Sequence, residues 1–499
     1  MKPELIDIPV ITDTRGDLAV IEAIRNTGFV FKRVYYFGGT NAKRGAHAHK
    51  HLRQLIVCVT GSVVITLEGA YGKQSFTLNT RHKGLLVPPG SWRNLESFSE
   101  NALVMVFASE VYDEGDYIRD YDIFKNWLTQ PVSSVPYIPM DRMILDMEGD
   151  LQSAFFEVMR KGQFIGGDIV SGFESLFARY CGAAHAIGCG NGLDALALIL
   201  EGYGIGKGDE VIIPANSFIA TGLAVSRLGA TPVFADCLPC SYGIDASDAA
   251  RRITPRTRAI IPVHLYGICA DMDALMKLAA QHDLKIIEDA AQAHGATYKG
   301  RRAGTLGHAA AFSFYPTKNL GAFGDGGAVV TNDGRLAAQI RLLGNYGSVK
   351  KYHHDIKGWN TRLDTLQAAL LARKLPRLDG WNARRRLLAD IYRTNLSGLP
   401  GVTLPTVPEG CEAIWHVYPI LVHGGRRDAL QARLKSQGVD TLIHYPVPIH
   451  KQAAYADISS GLTYTVAEDA SAGLLSLPLD PYHTEAEISY TASCVKGFF

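Results

Sequence analysis

The chain is poor in what most specialised protein classes require. Its 499 residues carry 8 scattered cysteines, too dispersed for a disulfide framework, so a reducing cytoplasm is the expected location. The one close pair, Cys237-Leu238-Pro239-Cys240, has no second pair or histidine nearby to complete a zinc site. It is expected in a loop between a strand and a helix, not at the helix start where a redox pair would sit. No apolar run approaches the ~18–20 residues that span a bilayer. The start, Met1-Lys2-Pro3-Glu4-Leu5-Ile6-Asp7, lacks the apolar core of a signal peptide. A formal net charge of +1 removes the electrostatic case for nucleic acid or an anionic membrane surface. No internal repeat or low-complexity tract is present.

What is there is globular. Apolar residues at 47% and charged residues at 20% fit a soluble protein, and the length exceeds what one core supports, so two or three domains are expected. Two textures meet near residue 130. Before it come short β-branched runs, 33–37, 54–59, 62–67 and 102–107, with glycine-marked turns at Gly61 and Gly90; they predict an all-β sandwich or barrel over 1–130. The segment 131–139, with Pro131, Ser133, Ser134, Pro136 and Pro139, reads as a linker. Over 140–499 helical stretches (190–203, 271–282) alternate with apolar strands (209–213, 231–235, 258–262, 284–288), which implies a parallel sheet with helical crossovers. A strand at 414–419 and a helix at 428–437 predict a small α+β subdomain over roughly 385–499.

Chemistry concentrates first around Lys318. It lies in Phe314-Tyr315-Pro316-Thr317-Lys318-Asn319-Leu320-Gly321, followed by Gly324-Asp325-Gly326-Gly327. An amine between an aromatic segment and a glycine-rich turn is placed to form an imine with a carbonyl cofactor. Upstream, Ile286-Ile287-Glu288-Asp289-Ala290-Ala291-Gln292 sets a carboxylate at the end of a buried strand. Lysine as Schiff-base former and a buried aspartate for a pyridinium nitrogen are the two groups that pyridoxal phosphate chemistry needs. Gly188-Cys189-Gly190-Asn191-Gly192-Leu193-Asp194 is a glycine-rich loop opening a helix, a site for an anion such as phosphate. In Pro214-Ala215-Asn216-Ser217-Phe218, Phe218 offers a stacking face or a core contact.

These segments, in this order, resemble the DegT/DnrJ/StrS family of sugar aminotransferases over about 136–499. The resemblance implies an α/β fold of the aspartate-aminotransferase type, PLP-dependent transferase fold type I. It gives Lys318 the internal imine, Asp289 the pyridine nitrogen, Gln292 the phenolic oxygen and Phe218 the ring face. Gly192, Leu193 and Ser313 would bind the phosphate. Asn360, in Gly358-Trp359-Asn360-Thr361-Arg362-Leu363-Asp364, would reach the neighbouring subunit's phosphate, which implies an obligate homodimer. Relatives with histidine in place of the lysine are dehydratases; Lys318 favours transamination of a nucleotide-linked keto-sugar, with L-glutamate as donor.

The second concentration is Arg44-Gly45-Ala46-His47-Ala48-His49-Lys50-His51. On a strand, period two puts the three imidazoles on one face, open to a metal site, a base cluster or a polar strand face. The spacing of Gly45, His47, His49 and Gly61 reads as a cupin (jelly-roll) motif. Where a metal-binding cupin has a carboxylate and a histidine, Gln54 and Arg93 stand, and neither suits a cation; no metal is expected. Neutral imidazoles suit proton transfer. With Asp13-Thr14-Arg15-Gly16, Val34-Tyr35-Tyr36 and the stretch Tyr112 to Asp122, the set resembles the FdtA/QdtA-like (WxcM-like) nucleotide-sugar 3,4-ketoisomerases over 1–130. That implies His47 and His49 as base and acid, with Tyr36 and Arg44 on the sugar and diphosphate. A fusion of the two would isomerise dTDP-4-keto-6-deoxyhexose and aminate C3. A second reading confines the cupin to sugar binding or epimerase chemistry.

Overall fold

A computed structural model describes residues 2–22, 27, 29–38, 42–128, 132–350 and 352–499, so Pro131 of the expected linker lies outside the described residues. The chain divides into two compact units, Met1–Pro131 with Met143–Ser153, and Val132–Arg142 with Ala154–Phe499.

The first unit holds two five-stranded antiparallel sheets. Its strands form because their apolar residues alternate. In Val63–Gly69, Val63, Ile65 and Leu67 are buried while Val64, Thr66 and Glu68 are not. Those side chains join Ile56, Leu85 and Val104 in one core. Gly61 turns the chain with φ 74°, and a Cβ there would run into Ser99. The unit is the jelly-roll that the sequence pattern predicts.

The second unit centres on a seven-stranded sheet ordered His185–Cys189, Gly327–Thr331, Ala309–Ser313, Lys285–Asp289, Thr257–Ile260, Glu210–Pro214, Thr231–Ala235. Gly327–Thr331 runs antiparallel to both neighbours, and the other pairings are parallel. Both faces are covered, so the strands read as continuous apolar runs. Ile286, Ala310 and Val330 pack into one core, while their neighbours Ile287, Ala309 and Val329 pack into the other. Among the described residues no helix is long and apolar enough to cross a membrane.

The small subdomain has a three-stranded sheet, Val402–Thr403, Tyr418–Val422 and Leu474–Leu477, packed with helices Leu378–Leu396, Arg427–Ser436 and Glu485–Lys496. Its middle strand starts four residues later than expected. Ile414 and His416 instead donate their N–H groups to Gly267 and Tyr266, and Trp415 between them has φ 48°. Val135 of the proline-rich segment is buried and bridges Val439 in parallel.

Candidate active sites

In the second unit every cofactor-directed residue named above except Asn360 sits at, or just beyond, the ends of the sheet strands on one side. Asp289 ends Lys285–Asp289 and is buried. Its Oδ2 accepts from Thr221 Oγ1 at 2.8 Å and its Oδ1 from the Ala291 N–H at 3.2 Å. Burial raises its carboxyl above the ordinary range, and these two bonds and the Lys318 charge oppose the rise. The Thr221 bond also fixes the segment carrying Phe218, whose ring is 55% exposed and lies 5.5 Å from Tyr445. Tyr445 in turn receives Gln292 Nε2 at 3.0 Å, while Gln292 Oε1 accepts the Tyr266 N–H at 2.7 Å.

Lys318 stands in the connection after Ala309–Ser313. Part of its surface is accessible, yet its amine is enclosed deeply enough that desolvation pulls it from 10.5 to about 8, with Asp289 acting the other way. At pH 7 a pKa of about 8 leaves about one amine in ten neutral and nucleophilic, against about one in three thousand for an ordinary lysine. Three imidazoles lie in its field and are held neutral, chiefly by burial: His294 is pulled down to about 3, His444 to about 4 and His416 well below 6.5.

The loop expected to hold phosphate opens helix Gly192–Gly202, capped by Asn191, whose side chain accepts the Asp194 N–H at 2.8 Å. The first N–H groups, Gly192 and Leu193, have no intrahelical partner and carry the positive end of the helix dipole. A Cβ on Gly192 would fall 2.8 Å from Ser313 Cβ, so glycine brings this N-terminus against Ser313. A buried carboxylate, an amine in its field, an open aromatic face and an anion cradle together fit pyridoxal phosphate. Asn360 is exposed, and its Oδ1 accepts Arg362 Nη2 at 2.6 Å.

The first unit holds a cavity of about 490 Å³ lined by Arg33, Arg44, Arg93, Arg119, His47 and Tyr117, among others. His47 donates Nδ1–H to the Gly45 carbonyl at 2.9 Å, which leaves Nε2 as a lone-pair base. Burial, and then the Arg93 charge, lower its pKa from 6.5 to about 4. His49 does not line the cavity. It is 1% exposed beneath His47, with ring centroids 5.0 Å apart, and its Nδ1 lies 2.9 Å from Asp116 Oδ2. Burial pushes it far below 6.5 despite that carboxylate, so it is a neutral Nδ1–H donor with a buried, unpartnered Nε2.

The expected face of three histidines is corrected here: the strand Arg44–His49 stops short of His51. Asp116 accepts the His51 N–H at 2.7 Å and turns the chain out to solvent. Tyr36 reaches the cavity wall from the exposed alternation of its strand and is 72% exposed, whereas Tyr35 points inward with its hydroxyl on Gln54. Arg44 lines the cavity with its guanidinium 4.9 Å from the Phe37 ring centroid.

Arg93 forms the cavity floor. It pairs across strands with His47, and period two puts both side chains on one face. It is 2% exposed, donates to Gln54 Oε1, and leaves Nε without a partner. Burial brings it from 12.5 to about 10, so it stays a cation at neutral pH. Sequence reading left it without a role, and Asp116, Tyr117 and Arg119 were visible only as part of a long motif. Among the described residues no group of three histidine, cysteine or acidic side chains is placed to hold a metal.

A lysine and an aspartate beyond the ends of the central strands of a mixed seven-stranded sheet, beside a helix N-terminus suited to phosphate, define a fold-type-I pyridoxal phosphate enzyme, here joined to a cupin. Residues 146–496 match the DegT/DnrJ/EryC1/StrS aminotransferase family model, and residues 1–129 match the model described as WxcM-like, C-terminal. The chain belongs to the DegT/DnrJ/EryC1/StrS aminotransferase family, which is pyridoxal phosphate-dependent, and carries a WxcM-like cupin ahead of it. It is similar to dTDP-3-amino-3,4,6-trideoxy-alpha-D-glucose transaminase of Streptomyces venezuelae, 48% identical over 349 residues, which are 70% of this chain and 92% of the relative. It is also similar to dTDP-3-amino-3,6-dideoxy-alpha-D-galactopyranose transaminase of Aneurinibacillus thermoaerophilus, 45% identical over 364 residues, 73% and 99% of the two chains. Among solved structures, S. venezuelae DesV in complex with a ketimine intermediate superposes with TM-score 0.72 and 46% identity, over 74% of this chain and 99% of that one. The ntda protein of Bacillus subtilis with bound cofactor PMP gives TM-score 0.69 and 34% identity, over 74% and 86%.

Proposed function

We propose that the chain is a bifunctional nucleotide-sugar enzyme of the cytoplasm. The cupin half converts a dTDP-4-keto-6-deoxyhexose into its 3-keto isomer. The aminotransferase half then places an amine on C3, with L-glutamate as donor, giving a dTDP-3-amino-3,6-dideoxyhexose. The observation that carries the reading is His47: a neutral imidazole with a free Nε2, facing a cavity walled by four arginines. Relatives of the second half that act on 3-amino dTDP-sugars support the position of the amine.

Proton bookkeeping at the sugar is simple. His47 Nε2 takes the proton from C3, beside the C4 ketone. The resulting enediolate oxygen forms above Arg93, whose fixed charge in a low-dielectric floor stabilises it. A proton returns at C4, and the hydroxyl proton passes from O3 to O4, so the product is an isomer. Arg44 and Arg119 hold the diphosphate. The Arg93→Met variant separates stability from catalysis. The change relieves the desolvation of a buried guanidinium but strands Gln54 Oε1, so folding stability is expected to change little. Ketone migration is expected to fall about 10²-fold or more. Thermal melting beside isomerase assay checks both.

In the second half, bound pyridoxal phosphate supplies an electron sink for the substrate carbon. Asp289 holds the proton on the ring nitrogen that makes the sink effective. Phe218 would offer its ring face to the cofactor and Gln292 would lie near its phenolic oxygen. Gly192, Leu193 and Ser313 would hold its phosphate, and Lys318 Nζ would carry the proton at the amine-bearing carbon. Asn360 completes the phosphate site of a second copy, and the exposed Phe155, Phe156, Met159 and Phe164 fit a homodimer face. NMR of the product from dTDP-4-keto-6-deoxyglucose and L-glutamate tests the reading. Nitrogen on C3 is expected. Nitrogen on C4, or no aminosugar, would sink it.

A further inference from the structure

Among the described residues, Lys374 is a buried cation without a counter-charge in contact. It ends helix Thr365–Lys374 and is 2% exposed; Nζ donates to the Gly321 carbonyl at 2.7 Å and lies 4.4 Å from the Phe323 ring centroid. Desolvation alone lowers its pKa from 10.5 to about 8. An apolar side chain there would relieve the desolvation of the amine but strand the Gly321 carbonyl, two effects of similar size that oppose each other. Stability therefore does not explain the ammonium.

What it touches does. Gly321 closes the turn around Lys318, where the Lys318 N–H donates to the Tyr315 carbonyl at 2.8 Å and the Ala322 N–H to the Phe314 carbonyl at 2.7 Å. A Cβ on Gly321 would run into the Pro316 carbonyl, so the neck of this turn is tight. From the same helix, Gln367 Oε1 accepts the Phe323 N–H at 2.8 Å, and Nε2 donates to the Phe323 carbonyl at 3.4 Å. Positions 367 and 374 are two turns apart and share a helix face. On the other side of the lysine, Asn319 is held by Asn382 at 3.0 Å and His416 at 3.1 Å.

We propose that Lys374 is a positioning residue. Its hydrogen bond to Gly321, with the Gln367 clamp on Phe323, locks the neck of the Lys318 turn so that the Lys318 amine meets the cofactor carbonyl in one orientation. The inference rests on Lys318 being the imine-forming residue. The experiment adds pyridoxal phosphate to cofactor-free enzyme and follows the visible imine band, then traps the bond with borohydride and locates it by peptide mass spectrometry. Lys374→Met is expected to melt close to the parent chain, yet to form the band at least about tenfold more slowly, as displaced reacting groups do. Lys374→Arg, which keeps a donor, recovers part of the rate, and Gln367→Ala slows it less. A folded Lys374→Met that forms the band at the parent rate overturns the proposal. If that variant does not fold, an unchanged rate in Gln367→Ala overturns it instead. Lys318→Ala keeps the two failures apart: a band that survives there refutes the Lys318 assignment itself.

Discussion

Lys318→Ala will fold, bind pyridoxal phosphate and show no imine absorption band. The side chain lies in a turn whose backbone bonds run from Tyr315 to Lys318 and from Phe314 to Ala322, and none of these needs the amine. The phosphate cradle at Gly192 and Leu193 and the carboxylate of Asp289 also survive the change. Transamination is expected to fall at least about 10³-fold, because proton transfer at the reacting carbon loses its group. Spectra of the reconstituted variant, beside half-reaction rates with L-glutamate, measure both. An unchanged spectrum would refute the assignment.

The second large effect belongs to the other half. His47→Ala should reduce ketone migration by about 10²–10⁴-fold, the usual span for a lost general base. The 3-keto sugar, supplied directly, should still be aminated. Survival of aminosugar formation from the 4-keto sugar would instead show that the cupin only binds. The pH profile follows from the same geometry. His47 acts as a base only when unprotonated, and burial with the Arg93 charge lowers its pKa from 6.5 to about 4. The isomerase rate should therefore be flat from neutrality downward and fall only as pH drops through about 4. A fall centred on 6.5 would contradict the buried arrangement. Asp116→Asn should lose less than His47→Ala, since Asp116 holds the Nδ1–H of His49 and does not line the cavity.

Much of this was legible along the chain. Strands buried on both faces show as apolar runs, and Lys318, Asp289 and the loop at Gly192 declare themselves by local composition. Period two was less reliable. It placed His51 with His47 and His49, but Asp116, 67 residues from His49, turns the chain away. Nor does local pattern reveal which of Tyr35 and Tyr36 points inward, because both are equally suited to a strand. Tyr445 approaches Gln292 across 153 residues and Lys374 approaches Gly321 across 53, and no local pattern announces either. Burial did most to separate the histidines: His47 meets the cavity and His49 does not.

The sheet order bears on how the second unit assembles. His185–Cys189, Gly327–Thr331, Ala309–Ser313 and Lys285–Asp289 lie side by side. The phosphate cradle follows the first, Lys318 lies between the third and the second, and Asp289 ends the fourth. A cofactor held as proposed would tie the strand His185–Cys189 to Lys285–Asp289 and Ala309–Ser313, about a hundred residues further along the chain. The antiparallel strand Gly327–Thr331 lies between His185–Cys189 and Ala309–Ser313, so full capture is expected only once it has slotted in. Recovery of the imine band during refolding would then time the closing of the sheet, and at a hundredfold excess over Kd the ligand would hold that closure with about 2.7 kcal/mol.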